Sequence, residues 1–147
     1  METLPFEIGE TTRVLRKAFD RHACGLGVTR AQWKVLFKVS RQPGKRQNEL
    51  AELLEVEPIT LSRIVDRLEE SGLVERVSDP ADRRAWRLHV TAKAEPLVAK
   101  LQRAADEMTA EAFAGIDRKD IEITRRVLAQ ARENASGNTA LNRASNQ

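Results

Sequence analysis

The chain has 147 residues, of which 41% are hydrophobic and 32% are charged, and its formal net charge is +3. This composition is typical of a globular chain with a modest core and excludes an intrinsically disordered one. A single cysteine and two histidines exclude an intramolecular disulfide and the usual Cys/His zinc sets within one chain. We therefore predict that the protein holds no metal and no cofactor.

No apolar run approaches the roughly 18 to 20 residues that a membrane span needs. The N-terminal sequence METLPFEIGETTR carries acids where a signal peptide has a basic start and an apolar stretch. We expect a cytoplasmic protein that makes no membrane contact.

Two helices are predicted over the first 40 residues. Apolar side chains between Phe6 and His22 recur with helical spacing, and glycines then end that helix. Thr29, followed three residues later by Gln32, has the capping-box pattern that begins a second helix. The pair Pro43-Gly44 closes it.

The next segment predicts two short helices joined by a tight turn. Leucines between Leu50 and Leu54 form a short apolar stripe, and Pro58 marks a new helix start because proline is tolerated only in the first turn. Apolar residues from Leu61 to Leu68 keep the helical period until Gly72 stops it. Such a pair is typical of a helix-turn-helix, whose second helix fits the roughly 12 Å major groove of DNA.

Beyond this pair the period changes from helix to strand. The segments Leu73–Ser78 and Ala85–Val90 alternate, and the polar DPADRR between them can turn, so we predict an antiparallel hairpin. Thr91 is predicted to cap a long helix and Asp117 a last one. From Ser136 onward the tail has too little apolar surface to order itself.

The second helix of the pair offers candidates for reading DNA bases. Thr60 and Ser62 can hydrogen-bond to base edges or phosphates, and the planar fork of Arg63 matches the O6/N7 edge of guanine. Arg67 lies on the same polar side. Any surface helix can carry such residues. This helix alone is therefore equally consistent with a DNA-reading helix and with an ordinary solvent-exposed helix.

The tip of the hairpin favours the DNA interpretation. Asp82 can hold one arginine extended while its neighbour, Arg83 or Arg84, enters the narrow minor groove. An isolated Asp-Arg-Arg run is usually a solvated turn. After a helix-turn-helix it predicts a wing.

Bulk charge does not support DNA binding by itself. From Arg41 to Thr91 there are nine Arg and Lys against ten Asp and Glu, a net of −1. A winged-helix protein-protein adaptor therefore remains an alternative, and loss of binding to duplex DNA at every salt concentration would decide for it.

The segment from Asn48 to Glu95, above all DPADRRAWRLHVTAKAEPL, resembles the MarR family of bacterial regulators, and within it the SlyA-type branch. The family's wing pattern is Asp-x-Arg, five intervening residues, then an aliphatic residue and Thr. Asp82, Arg84, Val90 and Thr91 meet it.

The resemblance implies a mainly α fold, with about six helices and a β-hairpin wing forming a winged helix-turn-helix. It implies N-terminal helices for dimerisation and a ligand crevice over 1–40, a DNA-binding lobe over 41–91, C-terminal dimerisation helices over 92–135 and a flexible tail over 136–147. The implied partners are a second copy of the chain and a pseudo-palindromic double-stranded operator.

Arg46 stands where the family usually has a Ser or Thr cap, so Arg46 and Gln47 are predicted to contact phosphate instead. The predicted DNA-contact set is Arg46, Gln47, Thr60, Ser62, Arg63, Arg67, Asp82, Arg83 and Arg84.

The last two helices carry more apolar surface than the small lobe can cover, which predicts an obligate dimer with Leu101 inside its interface. The apolar residues concerned are Leu97, Leu101, Ala105, Met108, Ala112, Ile121, Val127 and Leu128.

An effector crevice is the second functional hypothesis. Trp33 and Phe37 offer an aromatic wall, and Arg16, Arg21 and His22 offer polar groups that suit a small aromatic or phenolic acid, or its thioester. The alternative is that the two aromatic residues are ordinary core. The resemblance to the MarR family implies that the protein represses transcription and that such a ligand relieves the repression.

No nucleophile-base pair, carboxylate pair or phosphate loop occurs at a diagnostic spacing, so we predict no enzyme and no catalytic residues. Cys24 could sense peroxide as in some MarR relatives, but those use tyrosines to hold the reactive thiol and this chain has none, which favours a packed or tolerated cysteine.

On the hairpin, we expect Trp86 to pack under the wing, and Arg87 and His89 to face solvent.

Overall fold

The computed structural model describes residues 3–137, and among these it contains six α-helices and one antiparallel β-hairpin. The helices are α1 (Leu4–Ala23), α2 (Arg30–Arg41), α3 (Gln47–Leu53), α4 (Pro58–Glu70), α5 (Glu95–Ala112) and α6 (Arg118–Ala135), and the strands are β1 (Val74–Ser78) and β2 (Trp86–Val90). The mainly α winged helix-turn-helix predicted from the sequence is confirmed. The predicted tail lies outside the described residues from position 138 onward.

Contacts divide the chain into two units, Met1–Ala110 and Glu111–Gln147. The first unit has one hydrophobic core, to which α2, α3, α4, the hairpin and α5 each contribute fully buried side chains. Its largest buried apolar members are Leu36, Val39, Leu50, Leu61, Val65, Leu68, Val74, Leu88 and Leu101. This core fixes the two helices of the motif and the hairpin against each other.

Local sequence signals set the helix ends. The Thr29 hydroxyl accepts a hydrogen bond from the Gln32 backbone N–H at 3.2 Å, and the Thr29 N–H donates to Gln32 Oε1 at 3.0 Å, so the capping box is confirmed. Pro58 is the first residue of α4, as predicted. Gly72 follows α4 at φ 72°, and the next N–H, that of Leu73, donates to the Leu68 carbonyl at 2.9 Å. Together with the bond from the Gly72 N–H to the Glu69 carbonyl at 2.9 Å, it forms the Schellman motif that glycine favours at a helix end.

The turn between α3 and α4 uses the same motif with a different residue. Glu55 takes the left-handed position at φ 53°, and the Val56 N–H donates to the Ala51 carbonyl at 3.1 Å. Among the described non-glycine residues, Glu55 alone has a positive φ. The turn therefore stores backbone strain that a glycine would avoid.

The hairpin is antiparallel, as predicted, and pairs Val74 with Val90 and Ser78 with Trp86 at its ends. The other edge of β2 is also paired, since the Leu88 N–H donates to the Lys45 carbonyl and the Gly44 N–H donates to the Leu88 carbonyl. Residues before α3 thus anchor the wing to the helix-turn-helix.

Two predictions about the C-terminal helices were wrong. Thr91 does not cap the long helix, because its hydroxyl donates to the Gly72 carbonyl and a short 3-10 helix, Ala92–Ala94, precedes α5. Leu101 is fully buried in the core of its own chain, so it is not an interface residue. Asp117 does cap α6, since its carboxylate accepts from the Lys119 N–H at 3.1 Å.

The apolar side chains that remain exposed lie mostly on α1, α6 and the segment between α5 and α6. On α1 they include Phe6, which is 72% exposed, and on α6 they include Ile123 and Val127, each 48% exposed. No residue of α6 is buried. The sequence predicted an uncovered apolar surface on both α5 and α6. On α5, Leu101 is buried and Leu97, Ala105 and Met108 are half-buried, whereas Val127 on α6 is exposed as predicted.

Candidate nucleic-acid interface

The outward side of α4 carries the polar residues predicted from the sequence. Leu61, Val65 and Leu68 point into the core, which leaves Thr60, Arg63 and Arg67 exposed on the remaining faces. Ser62 is half-buried at the edge of this surface. The helix thus presents one hydroxyl and two guanidinium groups to solvent.

The tip of the wing is a tight turn with two exposed arginines. Asp82 Oδ1 accepts a hydrogen bond from the Arg84 backbone N–H at 3.0 Å. Within residues 3–137, the Asp82 carboxylate pairs with no arginine side chain, so its predicted role of holding a guanidinium was wrong. It fixes the backbone turn instead, and Arg83 and Arg84 extend from that turn.

A buried carboxylate at the base of the wing was missed from the sequence. Asp79 is 1% exposed, and its Oδ2 lies 2.7 Å from Arg46 Nε and 3.2 Å from Arg87 Nη2. Arg87 also donates to the Gly44 carbonyl at 2.7 Å, so the expectation that it faces solvent was wrong. Arg46 is the residue before α3, where its side chain makes no cap bond, and its Nε donates to Asp79 Oδ2. The cluster ties the wing to the start of the helix-turn-helix.

Hydrogen bonding keeps this carboxylate ionised. The Ala81 backbone N–H donates to Asp79 Oδ1 at 2.9 Å, and this bond, followed by those from Arg46 and the charge of Arg87, lowers the pKa of Asp79 below its ordinary value despite burial. A carboxyl whose folded pKa is lowered stabilises the fold above its unfolded pKa. That contribution is lost as the pH falls below about 4.

Asp79→Asn is therefore expected to lower the thermal unfolding midpoint at pH 7, because it leaves Arg46 and Arg87 without their shared anion. The difference from the wild type should shrink as the pH falls below about 4, the ordinary pKa at which Asp79 is protonated in the unfolded chain, and should vanish once the folded carboxyl is protonated at still lower pH. Thermal unfolding followed by circular dichroism across this range measures both effects. Glu75→Gln, which removes an exposed carboxylate from the same hairpin, is the matched control. Equal midpoints for the two variants at pH 7 would show that the cluster does not stabilise the wing.

Trp86 and Arg76 lie together beside α4. Trp86 is 44% exposed, so it is not packed under the wing as predicted, and it lines a depression of about 330 Å³ with Gln47, Ser62 and Arg76. Sequence reasoning did not single out Arg76. Its position on a strand of alternating character would have pointed to a half-buried side chain but not to its partners.

Comparisons with known proteins identify the family to which this fold belongs. Residues 28–86 match the model of the MarR family. The solved transcriptional regulator PA3341 is 32% identical, over 92% of this chain and 99% of that one, with a TM-score of 0.84. This chain belongs to the MarR family. This membership confirms the prediction that the protein is a transcriptional regulator and not an enzyme.

Two further solved MarR-type structures show the same fold. The transcriptional regulator SlyA is 28% identical over 93% of this chain and 96% of that one, with a TM-score of 0.77. A MarR family regulator from Listeria monocytogenes, complexed with a 26mer DNA, is 22% identical over 94% and 92%, with a TM-score of 0.80. The SlyA-type branch is not singled out, because the identity to SlyA is below that to PA3341.

A cavity of about 600 Å³ lies between α2 and the helix-turn-helix of this MarR family protein, within the range of small-molecule sites. Three of the predicted effector residues, Arg16, Trp33 and Phe37, line it, and the same three line a second depression of about 300 Å³ toward α5. Trp33 also stacks obliquely on Phe19 with ring centroids 4.3 Å apart. Thr60, at the start of α4, belongs to the lining of the larger cavity.

The charges around the larger cavity favour an anion. Its lining carries four cationic residues, Arg16, Arg30, Lys34 and Lys38, against one acid, Glu55. Burial, followed by the charges of Arg16 and Arg30, lowers the pKa of Lys34, while Asp20 opposes the shift. A bound carboxylate would relieve this repulsion.

The other predicted effector residues lie elsewhere. Arg21 and His22 line neither depression, and His22 Nδ1 lies 3.4 Å from Glu107 Oε2 on α5. Cys24 is an exposed free thiol directly after α1. Within residues 3–137, no three His, Cys, Asp or Glu side chains are grouped to hold a metal. No helix in that range is both long and apolar enough to cross a bilayer.

Proposed function

We propose that this MarR family protein is a cytoplasmic, ligand-responsive regulator that binds a pseudo-palindromic duplex operator as a homodimer. The observation that carries the proposal is the joint exposure of Arg63 and Arg67 on α4 and of Arg83 and Arg84 on the adjoining wing. The Listeria monocytogenes relative of the same fold, solved with a 26mer DNA, supports it. Thr60 and Arg63 read bases in the major groove, and Arg46 and Gln47 contact phosphates.

The test is footprinting on the DNA upstream of the protein's own gene at several salt concentrations. A protected pseudo-palindrome, with affinity falling as salt rises, is the expected result. The net charge of −1 over residues 41–91 favours the competing adaptor function. Absence of duplex binding at every salt concentration would establish the adaptor and overturn the regulator.

The wing arginine Arg84 is expected to read minor-groove width. Arg84→Ala should weaken binding most on operators with A·T-rich flanks, whose narrow minor groove attracts an inserted cation. Competition binding with operators that differ only in their flanks measures this, and Arg103→Ala, which removes an exposed arginine on α5, is the control. An equal loss on A·T-rich and G·C-rich flanks would contradict the minor-groove assignment.

The homodimer is proposed from the exposed apolar side chains. Those on α1 and α6 need a cover that the described residues do not supply, which supports dimerisation through residues 1–40 and 92–135, with 41–91 as the DNA-binding lobe. A two-fold dimer would place the two α4 helices in major grooves about 10 to 10.5 base pairs apart.

The effector is proposed to be a small aromatic or phenolic acid, or its thioester, bound in the 600 Å³ cavity. The ring would lie against Trp33 and Phe37, and the anionic group would pair with Arg16 or Lys34. Since Thr60 belongs to the same lining, a ligand there adjoins the start of α4 and would release the operator. The protein would then act as a repressor that the acid relieves.

Lys34→Gln is expected to weaken binding of an aromatic acid by about tenfold, since one charge-assisted hydrogen bond is lost. Quenching of Trp33 fluorescence measures the affinity, in a Trp86→Phe background that leaves a single tryptophan. Lys100→Gln, on the exposed side of α5, should leave it unchanged. If Lys34→Gln and Arg16→Gln both left the affinity unchanged, the acid would lie outside this cavity.

A further inference from the structure

Arg76 on β1 reaches across both helices of the motif. Its Nε donates to Gln47 Oε1 at 3.1 Å, and its Nη2 donates to the Ser62 carbonyl at 3.1 Å and to Ser62 Oγ at 3.4 Å. Its Nη1 lies 2.7 Å from Asp66 Oδ1 and 3.4 Å from Glu69 Oε1. One side chain of the wing thus joins α3 and α4.

This guanidinium is not a phosphate contact in the observed geometry. The Arg76 side chain is only 13% exposed, and two carboxylates, those of Asp66 and Glu69, already face its charge. A phosphate would have to displace both acids and would meet their repulsion. Arg76 therefore acts on DNA through its neighbours.

The donor-only chemistry of arginine determines which hydrogen-bonding groups Gln47 and Ser62 have left for DNA. A guanidinium has five N–H donors and no acceptor, so every atom facing it must accept. Gln47 consequently turns its oxygen inward, which leaves the amide NH₂ to face away from Arg76. The Ser62 oxygen also accepts from Arg76, so its O–H hydrogen is left to point elsewhere.

We propose that Arg76 is a positioning residue that fixes Gln47 and Ser62 as hydrogen-bond donors toward the DNA. Both residues then bind acceptor oxygens or nitrogens of the duplex and reject its amino groups. The inference rests on the proposed function, because it takes α3 and α4 to face DNA. It assigns a polarity to two contacts that the amino-acid types leave open, since a glutamine amide and a serine hydroxyl can each donate or accept.

Arg76→Lys separates positioning from direct charge. Lysine keeps the cation but lacks the planar fork, so it cannot hold both neighbours. We expect operator affinity to fall about tenfold, because the hydrogen bonds that Gln47 and Ser62 donate to the duplex are weakened, with the slope of log affinity against log salt unchanged. Full rescue by Lys, together with a slope that falls by about one in Arg76→Met, would show a direct phosphate contact and overturn the proposal.

Gln47→Glu tests the polarity without disturbing Arg76. A carboxylate still accepts from Arg76 Nε, so the thermal midpoint should hold, but the outward donor is replaced by an oxygen. Asn48→Asp makes the same charge change on the neighbouring, exposed residue of α3 and controls for general repulsion of DNA. We expect Gln47→Glu to lose at least about tenfold more affinity than Asn48→Asp.

The affinities of Gln47→Glu for operator and for random duplex show which DNA atoms accept the hydrogen bond from Gln47. An equal loss on both supports donation to phosphate oxygens, and a loss confined to the operator supports donation to base acceptors. Equal affinities of Gln47→Glu and Asn48→Asp on both duplexes would overturn the inference even though the wild type binds DNA. If the wild type binds no duplex, the proposed function itself fails.

Discussion

Ile123→Asp is expected to convert the protein to a monomer and to lower operator affinity on the order of 10²- to 10⁴-fold, the loss of coupling between two linked sites. Ile123 is 48% exposed on α6, so a charge there costs the single chain little. In a dimer that buries this side chain, an unpaired carboxylate would be strongly unfavourable. Sedimentation velocity and operator titration measure the two effects on the same sample.

The matched control for this variant is Ala129→Asp. It places the same carboxylate on the charged side of α6, four residues after Arg125, where it should leave both association and binding intact. A folded Ile123→Asp protein that remains dimeric would remove α6 from the interface. A monomer that binds the full operator as tightly as the wild type would refute the dimeric mode of binding.

Arg63→Ala is expected to weaken binding to the operator by about 1 to 3 kcal/mol and to leave binding to random duplex nearly unchanged, because a bidentate base contact is lost. Arg63 is exposed on α4, so its truncation removes little buried surface from the folded chain. Parallel titrations of operator and random duplex at one salt concentration measure the ratio.

The control for Arg63→Ala is Arg118→Ala, which removes an exposed arginine at the start of α6, outside the lobe. It should leave both affinities as they are. Equal losses on the two duplexes in Arg63→Ala would instead mean that Arg63 contacts phosphate and reads no base.

Signals confined to a few neighbouring residues predicted the structure well. The Thr29–Gln32 capping box, the helix start at Pro58 and the stop at Gly72 all lie where the sequence placed them. Each depends on hydrogen bonds or on backbone dihedral preferences within about one helix turn, so no knowledge of the rest of the fold is needed. The hairpin followed for the same reason, since alternation and a polar turn are local properties.

Contacts between distant residues could not be predicted in this way. Arg46 and Asp79 are 33 positions apart, and nothing in either local segment indicates that they meet. Leu101 was predicted to lie in a dimer interface but is buried in its own chain, because the cover of an apolar helix face cannot be predicted from the sequence. Helical spacing identifies a face that needs a cover, but it does not say whether the cover comes from the same chain or from another one.

The place of Thr60 in the cavity lining has a consequence for how the protein would respond in a cell. Thr60 belongs both to the exposed side of α4 and to the wall of the effector cavity. Under the proposed function the two sites share a coupling free energy, and that coupling is reciprocal. An acid that lowers operator affinity by some factor must bind the operator-bound protein more weakly by the same factor. The effector concentration that triggers release is then set not by the cavity alone but also by how much operator DNA competes for the protein.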